Sequence, residues 1–149
     1  MEKLLSKIQS KSCIIEIFGL GYVGFPLAVK LSSIGFNVIG IDVNEERISR
    51  LKRNELQDSE EILKEKFLEC RKEKLGLSEQ PLKSEIEKIG IICVPTPIPD
   101  KNTMSDVFVI KAVKNFLDNS KDGDCLILES SIEVGTTEKV QKLIEEKGF

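Results

Sequence analysis

Apolar residues along the chain come in short runs separated by amphipathic stretches. Residues 12–18 are β-branched and apolar and end at Gly19, the pattern of a buried strand. Residues 22–34 set Val23, Leu27, Leu31 and Ile34 on one helical face, with Pro26 near the start and Gly35 as the stop. Residues 36–41 form a second apolar strand closed by Asp42, and Asn44 is placed to cap a helix over 45–51. Residues 59–74 predict a charged helix that turns Leu63, Phe67 and Cys70 inward and leaves a solvated face. A short third strand is expected at 75–78, a short helix opening on proline at 81–88, and a buried strand at 89–94. Pro95-Thr96-Pro97-Ile98-Pro99 can continue neither element. A helix from Ser105 or Asp106 to Leu117, a turn at 121–124, a strand at 125–129 and a helix at 135–147 complete the chain. Ahead of all this, residues 1–11 carry Leu4, Leu5 and Ile8 at helical spacing, so an N-terminal helix or tail precedes one domain over 12–149.

Strands alternate with helices from end to end, with no internal repeat. That order predicts an α/β fold: a Rossmann-type doubly wound parallel sheet in the order 3-2-1-4-5, with helices on both faces and strand one central. The strand at 125–129 then forms an edge, which is expected to be capped by the final segment or by a neighbouring chain.

Composition narrows the function. The 149 residues include no histidine, which removes Ser-His-Asp and Cys-His catalysis and every His-based metal site, and no metal is expected. Basic residues number 22 and acidic residues 25, a net charge of −3 that gives nucleic-acid binding little support. With no Trp and one Tyr, stacking platforms for single strands are not expected either. The apolar runs are too short to span a bilayer, and residues 1–11 lack the apolar core of a signal peptide, so no membrane partner is expected. Cys13, Cys70, Cys93 and Cys125 show no C-x-x-C spacing, and three of them sit in strand-like runs. They read as reduced, buried thiols of a cytoplasmic protein.

Gly19-Leu20-Gly21-Tyr22-Val23-Gly24 is a G-x-G-x-x-G string that follows a strand and opens a helix. In that context Gly19 permits the tight turn, Gly21 lets a pyrophosphate approach the backbone, and Gly24 lets the helix pack on the strand. The helix N-terminus offers free N–H groups and a positive dipole end. Asp42 ends strand two, where a carboxylate accepts hydrogen bonds from adenosine ribose hydroxyls and repels a 2′-phosphate. Glycines and acid together point to dinucleotide binding. S-adenosylmethionine is the competing nucleoside ligand, and a turn-forming Asp the bland reading. Arg47 can serve the adenine or ribose side or be a plain helix-surface charge. Thr96, Ser130 and Ser131 lie just past later strands, where their hydroxyls can reach a nicotinamide, or can be a loop Thr and a capping pair.

Ile17-Phe18-Gly19-Leu20-Gly21-Tyr22-Val23-Gly24-Phe25-Pro26-Leu27-Ala28 closely resembles the opening of the UDP-glucose/GDP-mannose dehydrogenase family. So do Val38-Ile39-Gly40-Ile41-Asp42-Val43-Asn44, Ile91-Ile92-Cys93-Val94-Pro95-Thr96-Pro97, and Leu128-Glu129-Ser130-Ser131 continuing to Gly135-Thr136-Thr137. The wording is nearest to dehydrogenases of UDP-N-acetylmannosamine or UDP-N-acetylglucosamine. The resemblance implies NAD as cofactor and oxidation of a UDP-sugar C6 alcohol to the carboxylate with two NAD, in nucleotide-sugar metabolism and polysaccharide biosynthesis. It also implies that Tyr22, Val23, Asp42, Arg47, Thr96 and Ser131 match the family's NAD contacts, with Val94, Pro95 and Ser130 beside them. Ser131 stands where the family usually has Thr, a hydroxyl that the resemblance implies helps position a catalytic water or carboxylate, and Val134 stands where it usually has Pro. The family's catalytic Cys, Lys and Asn belong to a later substrate domain beyond residue 149, as does its catalytic Glu. None of the four cysteines here matches the nucleophile. The chain is therefore expected to bind NAD, to meet a UDP-sugar only together with that further domain, and to be inactive alone. A homodimer is among the assemblies expected. The alternatives are a stand-alone dinucleotide-binding or regulatory module, and a methyltransferase, which the full glycine string disfavours.

Overall fold

Five parallel strands form one sheet in a computed structural model that describes residues 2–98 and 105–149. In chain order they are β1 (Ile14–Phe18), β2 (Asn37–Ile41), β3 (Leu75–Ser78), β4 (Lys88–Ile92) and β5 (Cys125–Leu128). Their spatial order is β3-β2-β1-β4-β5, so β1 is central. Every neighbouring pair is parallel, with Ile15 opposite Val38 on one side and Ile89 on the other. Pro99 lies outside the described residues.

The strands are apolar on both faces because both faces are covered. Ile15 and Ile17 of β1 point into one core with Phe25, Val29, Val38 and Phe67. Phe18 points the other way, into a second core with Ile41, Ile92, Val113 and Phe116. Helices α2 (Gly24–Ser33), α3 (Glu45–Lys52) and α4 (Lys64–Arg71) cover the first face. Helices α5 (Val107–Leu117) and α6 (Thr136–Glu146) cover the second. Helix α1 (Glu2–Gln9) lays Leu4 and Ile8 against the first core. Its Lys3 and Lys7 pair with Glu87, just ahead of β4. Those ammonium groups hold the Glu87 carboxyl well below its ordinary value, at about 2.

Several expectations need correction. Residues 81–88 form no helix; they run as a loop into β4, which begins at Lys88. The cause is a pair of buried charges. Glu16 of β1 and Lys88 are both fully buried, on the α5 face, with Nζ donating to Oε2 at 3.2 Å. Glu16 Oε1 also accepts from the Leu82 amide at 2.6 Å, and Lys88 Nζ donates to the Leu82 carbonyl at 2.6 Å. Lys88 thus takes the Leu82 carbonyl, and Ser84 Oγ accepts at 3.0 Å from the Ile86 amide, the donor that a helix would have given that carbonyl. Burial pushes the Glu16 carboxyl above its ordinary value, against the Leu82 amide and Lys88, which pull it down. The Lys88 ammonium also lies 5.2 Å from the Phe116 ring centre. That ring in turn needs Gly90 bare, since a Cβ there would meet it at 2.6 Å.

The charged helix expected over 59–74 divides into a 3₁₀ segment, Asp58–Leu63, and α4. Glu60 breaks the run by turning back to accept from the Gln57 amide at 3.0 Å, so its side chain is buried and not part of a solvated face. Strand β4 stops at Ile92, which puts Cys93 past its end; Cys93 and Cys125 are only half-buried, while Cys13 and Cys70 are buried. All four thiols are free. The outer edge of β5 pairs with no strand among the described residues, and the final helix does not cap it.

Candidate functional site

The carboxyl ends of β1, β2, β4 and β5 open onto one cleft of about 690 Å³. Its floor is the turn from β1 into α2. Gly19 has φ +92°, and a Cβ there would lie 2.7 Å from the Cys93 carbonyl oxygen, so only glycine fits without strain. A Cβ at Gly24 would lie 1.8 Å from the Gly19 carbonyl oxygen: this glycine faces the packing contact between helix and turn, not the cleft. Gly21 differs from both. A Cβ there would meet nothing within 4 Å, so the space above it is vacant and faces the cleft. The cap residue of α2, Val23, supplies no side-chain hydrogen bond, and the first turn holds no acidic residue. A helix N-terminus left in this state suits a phosphate anion. Tyr22 and Val23 flank it as exposed side chains.

Asp42 sits beside the turn as β2 ends. Its Oδ2 accepts from the Leu20 amide at 2.8 Å and its Oδ1 from the Asn44 amide at 2.9 Å. The carboxylate therefore fixes the glycine turn and the start of α3, and it lines the cleft with acceptor capacity left over. Asn44 caps α3, its Oδ1 accepting from the Arg47 amide at 3.0 Å. Arg47 does not line the main cleft. It borders a smaller side cavity of about 230 Å³ together with Gly21, Asp42 and Glu60.

Across the cleft lie Cys93, Val94, Pro95 and Thr96 after β4, and Glu129, Ser130 and Ser131 after β5. Ser130 donates to the carbonyls of Val94 at 2.8 Å and Ile92 at 3.2 Å, which ties the two strand ends together. Ser131 is exposed beside it. Burial pushes the Cys93 thiol up to about 11, and the neighbouring Glu129 carboxylate adds to the rise. Cys93 is thus a neutral thiol, unsuited to attack. Sequence reasoning missed the wall supplied by α5, where Phe108, Lys111 and Asn115 face the cleft, and Glu79 after β3. The exposed Phe108 was the only signal, and an exposed apolar residue is ordinary on any helix.

The family model for the NAD binding domain of the UDP-glucose/GDP-mannose dehydrogenase family matches residues 13–148. The chain belongs to this family. It is 35% identical over 153 residues to a UDP-N-acetyl-D-mannosamine dehydrogenase of Methanococcus maripaludis, a match covering 99% of this chain and 34% of the relative. Among solved structures, the UDP-N-acetyl-mannosamine dehydrogenase Cap5O from Staphylococcus aureus superposes with a TM-score of 0.82 at 30% identity, over 91% of this chain and 33% of that one. A ternary complex of GDP-mannose dehydrogenase from Pseudomonas aeruginosa gives 0.79 at 26% identity, over 89% and 32%. The chain spans about a third of the length of these dehydrogenases. It is the NAD-binding domain of the family, and no described helix is long and apolar enough to cross a membrane.

Proposed function

We propose that this domain holds NAD for a nucleotide-sugar 6-dehydrogenase that oxidises the C6 alcohol of a UDP-sugar to the carboxylate, in the cytoplasm, as a step toward polysaccharide. The observation that carries the reading is the vacant space over Gly21 at the uncapped N-terminus of α2, with Asp42 fixed beside it. The pyrophosphate lies on Gly21 and the amides of Tyr22, Val23 and Gly24. Asp42 accepts from the adenosine ribose, with Arg47 on the same side. Val94, Pro95, Thr96, Ser130 and Ser131 border the nicotinamide half, and Ser131 is the hydroxyl available to orient a water. NAD accepts hydride when bound; the chain's own residues hold and orient it. The names of the relatives favour UDP-N-acetylmannosamine as the sugar nucleotide.

On this reading the first hydride transfer gives an aldehyde, and the cysteine that captures it belongs to the further domain and not to these residues. Cys93 is the only thiol lining the cleft, and it stays protonated. Titration with NAD and with NADP by calorimetry, alongside NADH formation from UDP-glucose, UDP-N-acetylglucosamine and UDP-N-acetylmannosamine, tests the proposal. Binding of NAD without turnover is expected. No binding of NAD, or turnover that survives Cys93→Ser, would overturn it, and turnover abolished by Cys93→Ser would overturn the reading of Cys93 as an inert thiol.

A further inference from the structure

The side cavity next to the glycine turn is lined by three charged groups, Asp42, Arg47 and Glu60. Arg47 is the cation that would be expected to accept a 2′-phosphate. It is not free to do so. Its Nη1 donates to Glu60 Oε2 at 3.0 Å and its Nη2 donates to the other Glu60 oxygen, a two-pronged pairing. Its Nε donates to the Leu20 carbonyl at 3.1 Å, inside the glycine turn. The guanidinium carbon lies 5.1 Å from the Phe25 ring centre. The side chains of Arg47 and Glu60 are only 11% and 7% exposed. Glu60 is itself fixed, since it accepts from the Gln57 amide.

We infer that Glu60 sets the preference for NAD over NADP by locking Arg47, a positioning role that rests on the NAD reading above. Three of the guanidinium N–H groups are committed within the protein, leaving two of the five. Two are enough to donate to a ribose hydroxyl. They are not the free, uncompensated fork that a phosphate requires. The charge arithmetic points the same way. A 2′-phosphate would face the two carboxylates of Asp42 and Glu60 against a single guanidinium, whereas a neutral ribose diol faces acceptors and donors without net repulsion. The lock does a second thing: through the Leu20 carbonyl it pins the turn on which the pyrophosphate lies. Asp42 and Glu60 thus divide the work, one as the acceptor for the hydroxyls and the other as the neutraliser of the nearest cation.

The experiment measures NAD and NADP affinities by calorimetry at matched ionic strength, for the unmodified chain, Glu60→Gln, Glu60→Asp and Glu60→Gln with Arg47→Ala, each with a thermal melt. Glu60→Gln should move the NADP-to-NAD affinity ratio toward NADP by roughly tenfold or more. The gain should shrink as salt is raised, because it is an ion pair to phosphate. Glu60→Asp keeps the charge but is one methylene short of spanning the fork. It should move the ratio the same way by a smaller factor, and it carries the test if the Gln variant folds poorly. Adding Arg47→Ala should abolish the gain. A purely structural role would weaken both cofactors alike and leave the ratio unmoved, and that result would overturn the inference. Failure of the unmodified chain to bind NAD at all would overturn the NAD reading instead, so the two failures are distinguishable.

Discussion

Replacing Gly21 with alanine should separate binding from stability more cleanly than any other change in the glycine turn. The added methyl meets no protein atom within 4 Å, and Gly21 is not among the residues with positive φ, so alanine fits the native backbone. Loss of glycine's freedom in the unfolded chain should then stabilise the domain by about 0.4–1 kcal/mol. For a chain of this size that raises the melting temperature by roughly 1–4 °C. The methyl does, however, fill the space a phosphate needs. Each charge-assisted hydrogen bond it displaces is worth about 1.5–3 kcal/mol, a weakening of NAD of roughly tenfold to a hundredfold per bond. Gly24→Ala is the contrasting control. Its methyl would lie 1.8 Å from the Gly19 carbonyl oxygen, so the helix must move, and overpacking of this kind costs about 1–3 kcal/mol or more. Thermal melts with and without NAD, and NAD titration by calorimetry, read both effects. Unchanged NAD affinity in Gly21→Ala, or a melting temperature lowered as far as in Gly24→Ala, would refute the assignment of Gly21 as the phosphate cradle.

Lys88→Met leaves Glu16 buried without its cation and should cost about 3–5 kcal/mol in denaturant melts, less at acid pH where Glu16 is neutral; adding Glu16→Met should recover most of the loss. A single change as mild as a surface substitution would refute the pairing. Cys93 should alkylate far more slowly at neutral pH than an exposed thiol, with its rate climbing toward pH about 11; peptide mass spectrometry after iodoacetamide treatment reads this, and rapid labelling at neutral pH would contradict it. The contact of α1 with Glu87 involves a carboxyl lowered from 4.5 to about 2, so its stabilisation is complete above pH 4.5 and is lost as pH falls toward 2. Amide exchange in α1 across that range should show release only near the lower end, and release already complete at pH 4.5 would contradict the pairing.

The cleft was legible in the sequence because its parts are local. A strand, a glycine string and a helix follow one another without a gap, and Asp42 closes the next strand, so spacing alone brings them to one sheet edge. What escaped were pairs formed between distant segments. Lys88 reads as the end of a polar run, and only its contact across the sheet with Glu16 makes it a buried strand residue that undoes the helix expected at 81–88. Glu60 likewise reads as one more charge on an amphipathic surface. Its role depends on Arg47 being brought beside it by α3, which no periodicity encodes. A buried, paired charge and a solvated one look identical in a hydrophobicity pattern.

Glu16 and Lys88 also bear on how the sheet avoids misassembly. β1 and β4 are short, largely aliphatic and buried on both faces, so their apolar side chains alone discriminate poorly between alternative alignments. Sliding β4 by one residue would turn Lys88 into the α2 core and strand Glu16 among aliphatic neighbours, an uncompensated charge in low dielectric. Sliding it by two would keep each side chain on its own face but remove Gly90 from beneath Phe116, where any larger residue collides with the ring. Mispaired chains are thereby raised in energy more than the native one is lowered. The double methionine variant should accordingly fold with comparable stability yet lose discrimination, giving heterogeneous amide spectra or aggregation during refolding where the parent chain gives a single species.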